Sequence, residues 1–505
     1  MISNVAAESE AIVGAYPRTS HETSTKDLKA RTLRGGVAKV GAQAAGFVMR
    51  IGSLMILARV LDPKDFGLVG MVTVVTGVFS LFKDAGLSMV TVQRATITDE
   101  QVSTLFWINM LVGAGLAVLS VAIAPALVVF YREPRLLWVT TVLATGFVFN
   151  AAGVQHSALL QRQMRFGALA AIDVVSLIAS LAVAIGMALG GYGYWALVAM
   201  AVTLPAVSTV CAWLMAAWIP GAPRRRTGMR SMMRFGSAIT LNSLIVYVAY
   251  NMDKVLLGRL WGAEVLGIYG RAYQLINIPT ENLNSAVGGV AVSALSRLQG
   301  DPNRFKSYFL KGYSLVLVLT IPLTVACGLF AHDIILVLLG PKWMSAVPIF
   351  RFLAPTILAF ALINPLAWLL FSSGHVGRSL KMALVIAPLV VLSYVAGLPY
   401  GSSGVAFGYS TMMTLLVVPM IVWATHETII SWRDVLRAVK PPAISAAVAT
   451  AVTLAIHYAW IHGLSPLPRL MAECSVLGGL YGVMLLADRD QRTSYLDLAR
   501  DLRGR

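Results

Sequence analysis

Seven basic side chains sit inside stretches that are otherwise apolar: Lys39, Arg50, Arg59, Lys254, Arg259, Arg271 and Arg351. Few acids accompany them, chiefly Asp173, Asp253, Glu281 and Glu473. A charge facing lipid at the centre of a bilayer costs at least about 3 kcal/mol, so such residues call for a polar interior. Depth along a helix, at about 1.5 Å per residue, separates them. Lys39 and Arg59 lie near opposite ends of one helix and Arg259 at the outer end of another, where long stems snorkel. With Glu281 they form a gate-or-snorkelling set. Arg50, Asp253, Lys254, Arg271 and Arg351 fall at similar heights. Cations gathered at one level suit an anion, and arginine grips phosphate in a bidentate fork. These five, with Tyr250 and Gln274, are the candidate ligand-binding residues.

Spacing adds a lumen to the charges. Ser243, Tyr247, Tyr250 or Asn251, and Lys254 recur every three or four positions, which is one helix face. Arg271, Gln274, Asn277 and Glu281 share another face, in step with Gly267 and Gly270. Lys39, Gln43 and Arg50 line a third. The competing reading is that these tyrosines and asparagines glue helices together, with Asp253 beside Lys254 as a structural ion pair.

The elements that must carry these faces follow from composition. The chain has 505 residues, 57% hydrophobic and 12% charged, and a mean hydropathy of +0.75. Soluble domains carry about twice that charged fraction, so a soluble globular protein is excluded. The apolar residues come in helix-length runs rather than in alternation, which excludes a transmembrane β-barrel. Fourteen segments are long enough to span a bilayer. They are 36–60, 66–82, 105–130, 136–157, 168–189, 193–218, 235–260, 264–288, 310–331, 347–371, 379–397, 402–425, 442–461 and 468–487. The eighth is expected to break at Pro279 and its asparagines. The ninth runs into His332–Asp333, which reads as a solvated cap. Cys211, Cys327 and Cys474 lie in apolar runs and build neither a disulfide framework nor a metal site.

Loop charge orients the helices. With the N-terminus inside, the cytoplasmic segments hold twenty-eight basic residues, and the outward loops hold Lys64, Arg132, Arg135, Lys342 and Arg469. Dropping one helix would reverse every later loop and destroy that asymmetry. The net charge of +17 is therefore a cytoplasmic-face property, which anchors the protein on anionic membrane lipids and calls for no nucleic acid. The organisation expected is a cytoplasmic tail (1–35, with no cleaved signal), an N-terminal lobe (36–218), a basic linker (219–234), a C-terminal lobe (235–426), two added helices (442–487) and a cytoplasmic tail (488–505). Every loop is short, and none can house an extracytoplasmic active site.

Shifted by 200 positions, the chain matches itself. Arg34 falls on Arg234, Gly36 on Gly236, Leu57 on Leu257, Arg59 on Arg259, Gly67 on Gly267 and Gly70 on Gly270. Six helices separate the copies, so both enter the membrane in the same direction. Parallel halves with a binding site between them are a transporter architecture.

The same residues resemble a known family. Arg59-Val-Leu-Asp-Pro-Lys-Asp-Phe-Gly67 is similar to the first-hairpin motif of bacterial polysaccharide flippases. Leu159-Leu-Gln-Arg-Gln-Met-Arg-Phe166, Gly191-Tyr-Gly-Tyr-Trp-Ala-Leu-Val198 and Gly258-Arg-Leu-Trp-Gly…Leu266-Gly-Ile-Tyr-Gly-Arg-Ala-Tyr273 are similar to further motifs of that group. Within the multidrug/oligosaccharidyl-lipid/polysaccharide exporter superfamily, the chain most resembles the Wzx-type polysaccharide-transport branch of exopolysaccharide exporters. The resemblance implies an all-α fold of two six-helix lobes in a V, with two further helices. It implies an undecaprenyl-diphosphate-linked glycan as cargo, flipped from the inner to the outer leaflet of the bacterial plasma membrane by alternating access. It implies no cofactor, coupling to a proton or sodium gradient, and polysaccharide polymerase and export machinery as partners. The matching residues look like structural signatures; the ligand candidates above rest on depth and charge. A drug/cation antiporter of the same superfamily is the alternative, disfavoured by the basic sign of the charges. A membrane polymerase or ligase would need an outward catalytic loop that the sequence lacks.

Overall fold

A computed structural model describes residues 41, 45–83, 87–94, 97–223, 230–461 and 463–487. Among them there are helices and no strand. We number the helices α1 (45–60), α2 (Pro63–Ser80), α3 (Leu87–Gln93), α4 (Asp99–Tyr131), α5 (Leu136–Arg162), α6 (Phe166–Leu189) and α7 (Trp195–Ala216). The second half follows as α8 (Arg230–Leu260), α9 (Gly262–Arg297), α10 (Pro302–Leu329), α11 (Ala331–Leu338), α12 (Ala346–Leu353), α13 (Pro355–Ser372), α14 (Val376–Gly397) and α15 (Gly401–Thr425). α16 (Trp432–Ile456) and α17 (Pro466–Ala487) complete the chain. Lys39 and both tails lie outside the described residues.

Local chemistry sets the helix starts. Asp62 caps α2 in a box with Asp65, and Pro63 takes the first helical position, where its missing N–H costs nothing. Thr98 with Gln101 does the same for α4, Asp301 before Pro302 for α10, and Ser431 with Asp434 for α16. Beyond the caps the helices are apolar, and Leu111, Val129 and Leu214 stand fully out from the protein. Nine stretches among the described residues are long and apolar enough to cross a membrane, and one of them, Gly377–Thr425, holds two helices joined at Leu398–Tyr400.

Two expectations about element ends need correction. Pro279 does not break its helix: α9 runs unbroken for 36 residues. The Thr280 hydroxyl donates to the Ile276 carbonyl at 3.2 Å, beside the carbonyl that the proline deprives of its backbone donor. In a packed apolar setting such side-chain donors let a helix pass through proline. The segment expected as one helix over 347–371 is instead split at Ala354–Pro355 into α12 and α13. Ahead of it, α11 and a 3₁₀ turn at Pro341–Trp343 occupy the stretch that follows the ninth segment.

The two halves meet where the 200-residue repeat is clearest. A Cβ on Gly67 would lie 1.6 Å from the Ala263 carbonyl oxygen, and one on Gly267 would lie 1.9 Å from the Pro63 carbonyl oxygen. Position 63 is the repeat equivalent of 263, and 67 of 267, so each hairpin presents to the other the contact it receives. That reciprocity is the mark of a two-fold interface. It packs α2 against α9 and brings Leu57, Leu68, Leu257, Leu266 and Tyr269 into one buried core. A second core joins α10 and α13 to α16 and α17 through Phe309, Tyr313, Trp368, Ala446 and Leu477.

Around the hairpins the 3₁₀ turn closes over the first half. Trp343 is fully buried, donates its indole N–H to the Ala58 carbonyl at 2.7 Å, and packs edge-on against Phe66 at 5.4 Å. Arg59 donates to the Val337 carbonyl at 2.9 Å, and Lys342 pairs with Asp62 at 2.9 Å. Gly340, at φ +94°, lets the chain turn beside the Arg59 stem.

Gly67→Val and Gly267→Val should each lose folded protein, because overpacking costs about 1–3 kcal/mol even where side chains can yield, and here the obstacle is backbone. Gly270→Ala, with nothing within 4 Å of the new methyl, should stay within about 1 kcal/mol of the parent. Thermal melting in detergent compares the three.

Candidate functional site

A cavity of about 380 Å³ opens among α8, α9, α13 and α14. Its polar lining is Tyr250, Tyr273, Asn277, Thr280, Glu281, Asn364 and Ser379; Phe360, Ile363, Met382 and Ile386 supply much of the rest. Two of the predicted site residues, Tyr250 and Glu281, line it. No basic side chain does so among the described residues, so this cavity lies within the second half and is not the basic space expected between the halves.

Behind the cavity stands a nest of tyrosines. Tyr409 lies 6.4 Å from Tyr273, 6.5 Å from Tyr250 and 5.3 Å from Tyr394, ring centre to ring centre. Tyr269 stacks on Tyr273 at 6.1 Å. Asp253, fully buried, accepts a hydrogen bond from the Tyr269 hydroxyl at 2.7 Å and another from the Lys254 backbone N–H at 2.7 Å. Its neighbour's ammonium turns elsewhere. Lys254 donates to the Asn251 amide oxygen at 2.7 Å and lies 4.4 Å over the Tyr273 ring, so adjacent residues of one helix send opposite charges to different partners.

Two of the remaining cations also rest over rings. Arg271 lies 4.1 Å over the Phe66 ring of α2 and donates to Gln274, which places this pair at the contact between halves. Arg259 lies 5.6 Å over Phe130 of α4. Arg59, expected at a gate or snorkelling, is held by the α11 backbone. Arg50 and Arg351 are exposed and form no ion pair among the described residues. Tyr247, read as lumen-facing, donates to the Val74 carbonyl at 3.1 Å, and Gly77 leaves room for its ring. It is helix glue between α8 and α2.

Sequence reasoning missed one assembly. Asp333 is buried rather than a solvated cap, and it takes both arms of the Arg469 guanidinium from α17. The His332 ring adds a contact at 3.0 Å. One turn further along α17, the buried Glu473 meets the His457 ring nitrogen at 2.6 Å. Only the shared height of opposite charges at outward helix ends could have hinted at the first pair, whose members lie 136 positions apart.

Tyr269→Phe removes a donor from a carboxylate with no access to solvent. Leaving a buried acceptor short costs about 1–3 kcal/mol, so in a chain of this size the variant should melt about 1–3 °C lower while inserting normally. Differential scanning fluorimetry in detergent reads this shift.

With the geometry in place, comparisons with known proteins locate the chain. The teichuronic acid biosynthesis protein TuaB of Bacillus subtilis is 29% identical over 63% of this chain and 66% of its own length. The lipopolysaccharide biosynthesis protein WzxC of Escherichia coli is 25% identical over 76% of this chain and 78% of its own. Among solved structures, the lipid II flippase MurJ in an inward closed conformation superposes with a TM-score of 0.72 at 11% identity, over 89% of this chain and 98% of that one, and so shares the fold. Residues 56–348, more than half of the chain and including both repeated hairpins, match the sequence family described as polysaccharide biosynthesis protein, and the chain belongs to that family.

Proposed function

We propose that this protein is a flippase that carries an undecaprenyl-diphosphate-linked oligosaccharide from the inner to the outer leaflet of a bacterial plasma membrane. It does so as a fourteen-span transporter with both termini in the cytoplasm, not as an enzyme. The observation that carries this reading is the reciprocal contact of Pro63 and Gly67 with Ala263 and Gly267, joined to membership of a polysaccharide biosynthesis family. Two parallel halves pressed together at one end can part there and close at the other, which is alternating access.

In this reading 36–218 and 235–426 are the moving lobes, 219–234 is their basic linker, and 442–487 is an added pair. The diphosphate is the part of the cargo that needs cations. Arg50 and Arg351, exposed and without ion-pair partners among the described residues, are the donors we assign to it, with Lys254 and Arg271 as weaker ones because rings already hold them. The hydroxyl, amide and tyrosine lining of the 380 Å³ cavity suits sugar, which offers hydroxyls to such groups and apolar faces to aromatic rings. A proton or sodium gradient supplies the drive, and polymerase and export machinery act after it.

One observation favours a second reading. Glu281 and the tyrosines make the cavity attractive to an organic cation, as a drug antiporter would require. Depletion of the protein in its host separates the two. The flippase predicts that lipid-linked oligosaccharide accumulates severalfold on the cytoplasmic leaflet while surface polysaccharide falls. An unchanged lipid-linked pool with raised drug sensitivity would establish the antiporter instead. For the site, Arg50→Ala should cut export at least about tenfold, the loss of one charged contact, with insertion intact. Wild-type export by the inserted variant would remove Arg50 from the site.

A further inference from the structure

α11 is eight residues long and is gripped at both ends by other parts of the chain. At its C-terminal end, Arg59 holds the Val337 carbonyl, and the turn that follows sends Lys342 to Asp62 and the Trp343 indole to the Ala58 carbonyl. These three contacts all cross from the second half to the first. At its N-terminal end, Asp333 is clamped by Arg469 of α17, with His332 alongside. Neither α16 nor α17 belongs to the repeat, yet one of their side chains, Arg469, pairs with the segment that fastens the two halves together.

The pair is itself braced. Glu473 and His457 tie α17 to the end of α16, where the helix loosens into a π turn over His457–Ile461. At the opposite end of α16, Asp434 takes the Lys306 ammonium of α10 at 2.6 Å. α16 and α17 thus hold the helix that leads into α11 at one end of the bundle and α11 itself at the other. Asp333 is buried and Arg469 partly so, and the pair holds because Asp333 left alone would be an uncompensated buried charge.

We propose that α16 and α17 form a brace on the hairpin-end closure, and that Arg469 is a positioning residue which, through Asp333, holds α11 against the first half. While the pair is made, the halves stay together at the hairpins. When it is lost, α11 is free to swing and the hairpin end opens more readily. This rests on the alternating-access reading above, but it names a control element outside the moving lobes.

The test places spin labels on Lys64→Cys and Glu264→Cys, exposed repeat equivalents at the start of α2 and α9, in a chain carrying Cys211→Ala, Cys327→Ala and Cys474→Ala. Double electron–electron resonance in lipid nanodiscs then reads the separation of the hairpins. Asp333→Asn and Arg469→Ala should each raise the long-distance fraction at least about threefold, and the exchanged pair Asp333→Arg with Arg469→Asp should bring it back towards the parent. Arg469→Lys, which keeps the charge but loses the fork, should fall between and guards against a variant that fails to insert. Unchanged distances in the inserted single variants would overturn the brace, as would a shift that the exchanged pair does not reverse. The parent chain separates the two readings. If it populates long distances that the variants leave unaltered, the halves do part and only the brace is wrong. If no chain ever populates them, alternating access at this end fails as well.

Discussion

Everything in this molecule is arranged around a place where two backbones touch. α2 and α9 approach until the Gly67 position meets the Ala263 carbonyl and the Gly267 position meets the Pro63 carbonyl, a distance that no side chain larger than hydrogen allows. Inside a membrane, helices gain little from hiding apolar surface from one another, because lipid tails are as apolar as leucine; close backbone approach is what remains. Once those glycines fix the crossing, the neighbours have few choices. Phe66 is brought under the Arg271 guanidinium and against Trp343, and Tyr247 is brought within reach of the Val74 carbonyl. The interface between halves is a ring of polar and aromatic contacts built round a bare backbone centre.

Charge inside the bundle obeys a second economy. Lys254, Arg259 and Arg271 rest over Tyr273, Phe130 and Phe66, and Asp253 is held by a tyrosine hydroxyl and a backbone N–H. Ring faces offer a cation partial compensation without a counter-charge. Where two opposite charges do pair directly, as Asp333 and Arg469 do, the pair joins helices that share no repeat relationship.

Much of this was legible in the sequence, and what was not has physical reasons. Each of the fourteen apolar segments overlaps a helix, and nine stretches among the described residues are long and apolar enough to cross a membrane. The repeat was legible because glycine identity at 67 and 267 is forced by contact rather than by composition. Helix interruptions were not. Pro279 passes through a helix and Pro355 starts one, and the difference lies in what surrounds each ring, which a single sequence does not record. The candidate site was read as a set of charges at one depth, but depth is one coordinate of three. It could not say that Glu281 and Tyr250 line a cavity while Arg271 faces a phenylalanine, nor that Asp333 would find Arg469.

The length of α9 carries a mechanical consequence. From Gly267, at the contact, to Arg297, at its far end, the helix extends about 45 Å, well beyond the roughly 30 Å of a bilayer's hydrocarbon core. It is a lever whose short arm is pinned by glycine. A tilt of about 10° about that pivot, smaller than the spread of tilts seen among membrane helices, sweeps the Arg297 end through about 8 Å. A contact too small to hold a methyl group thus sets the pivot of an arm about 45 Å long.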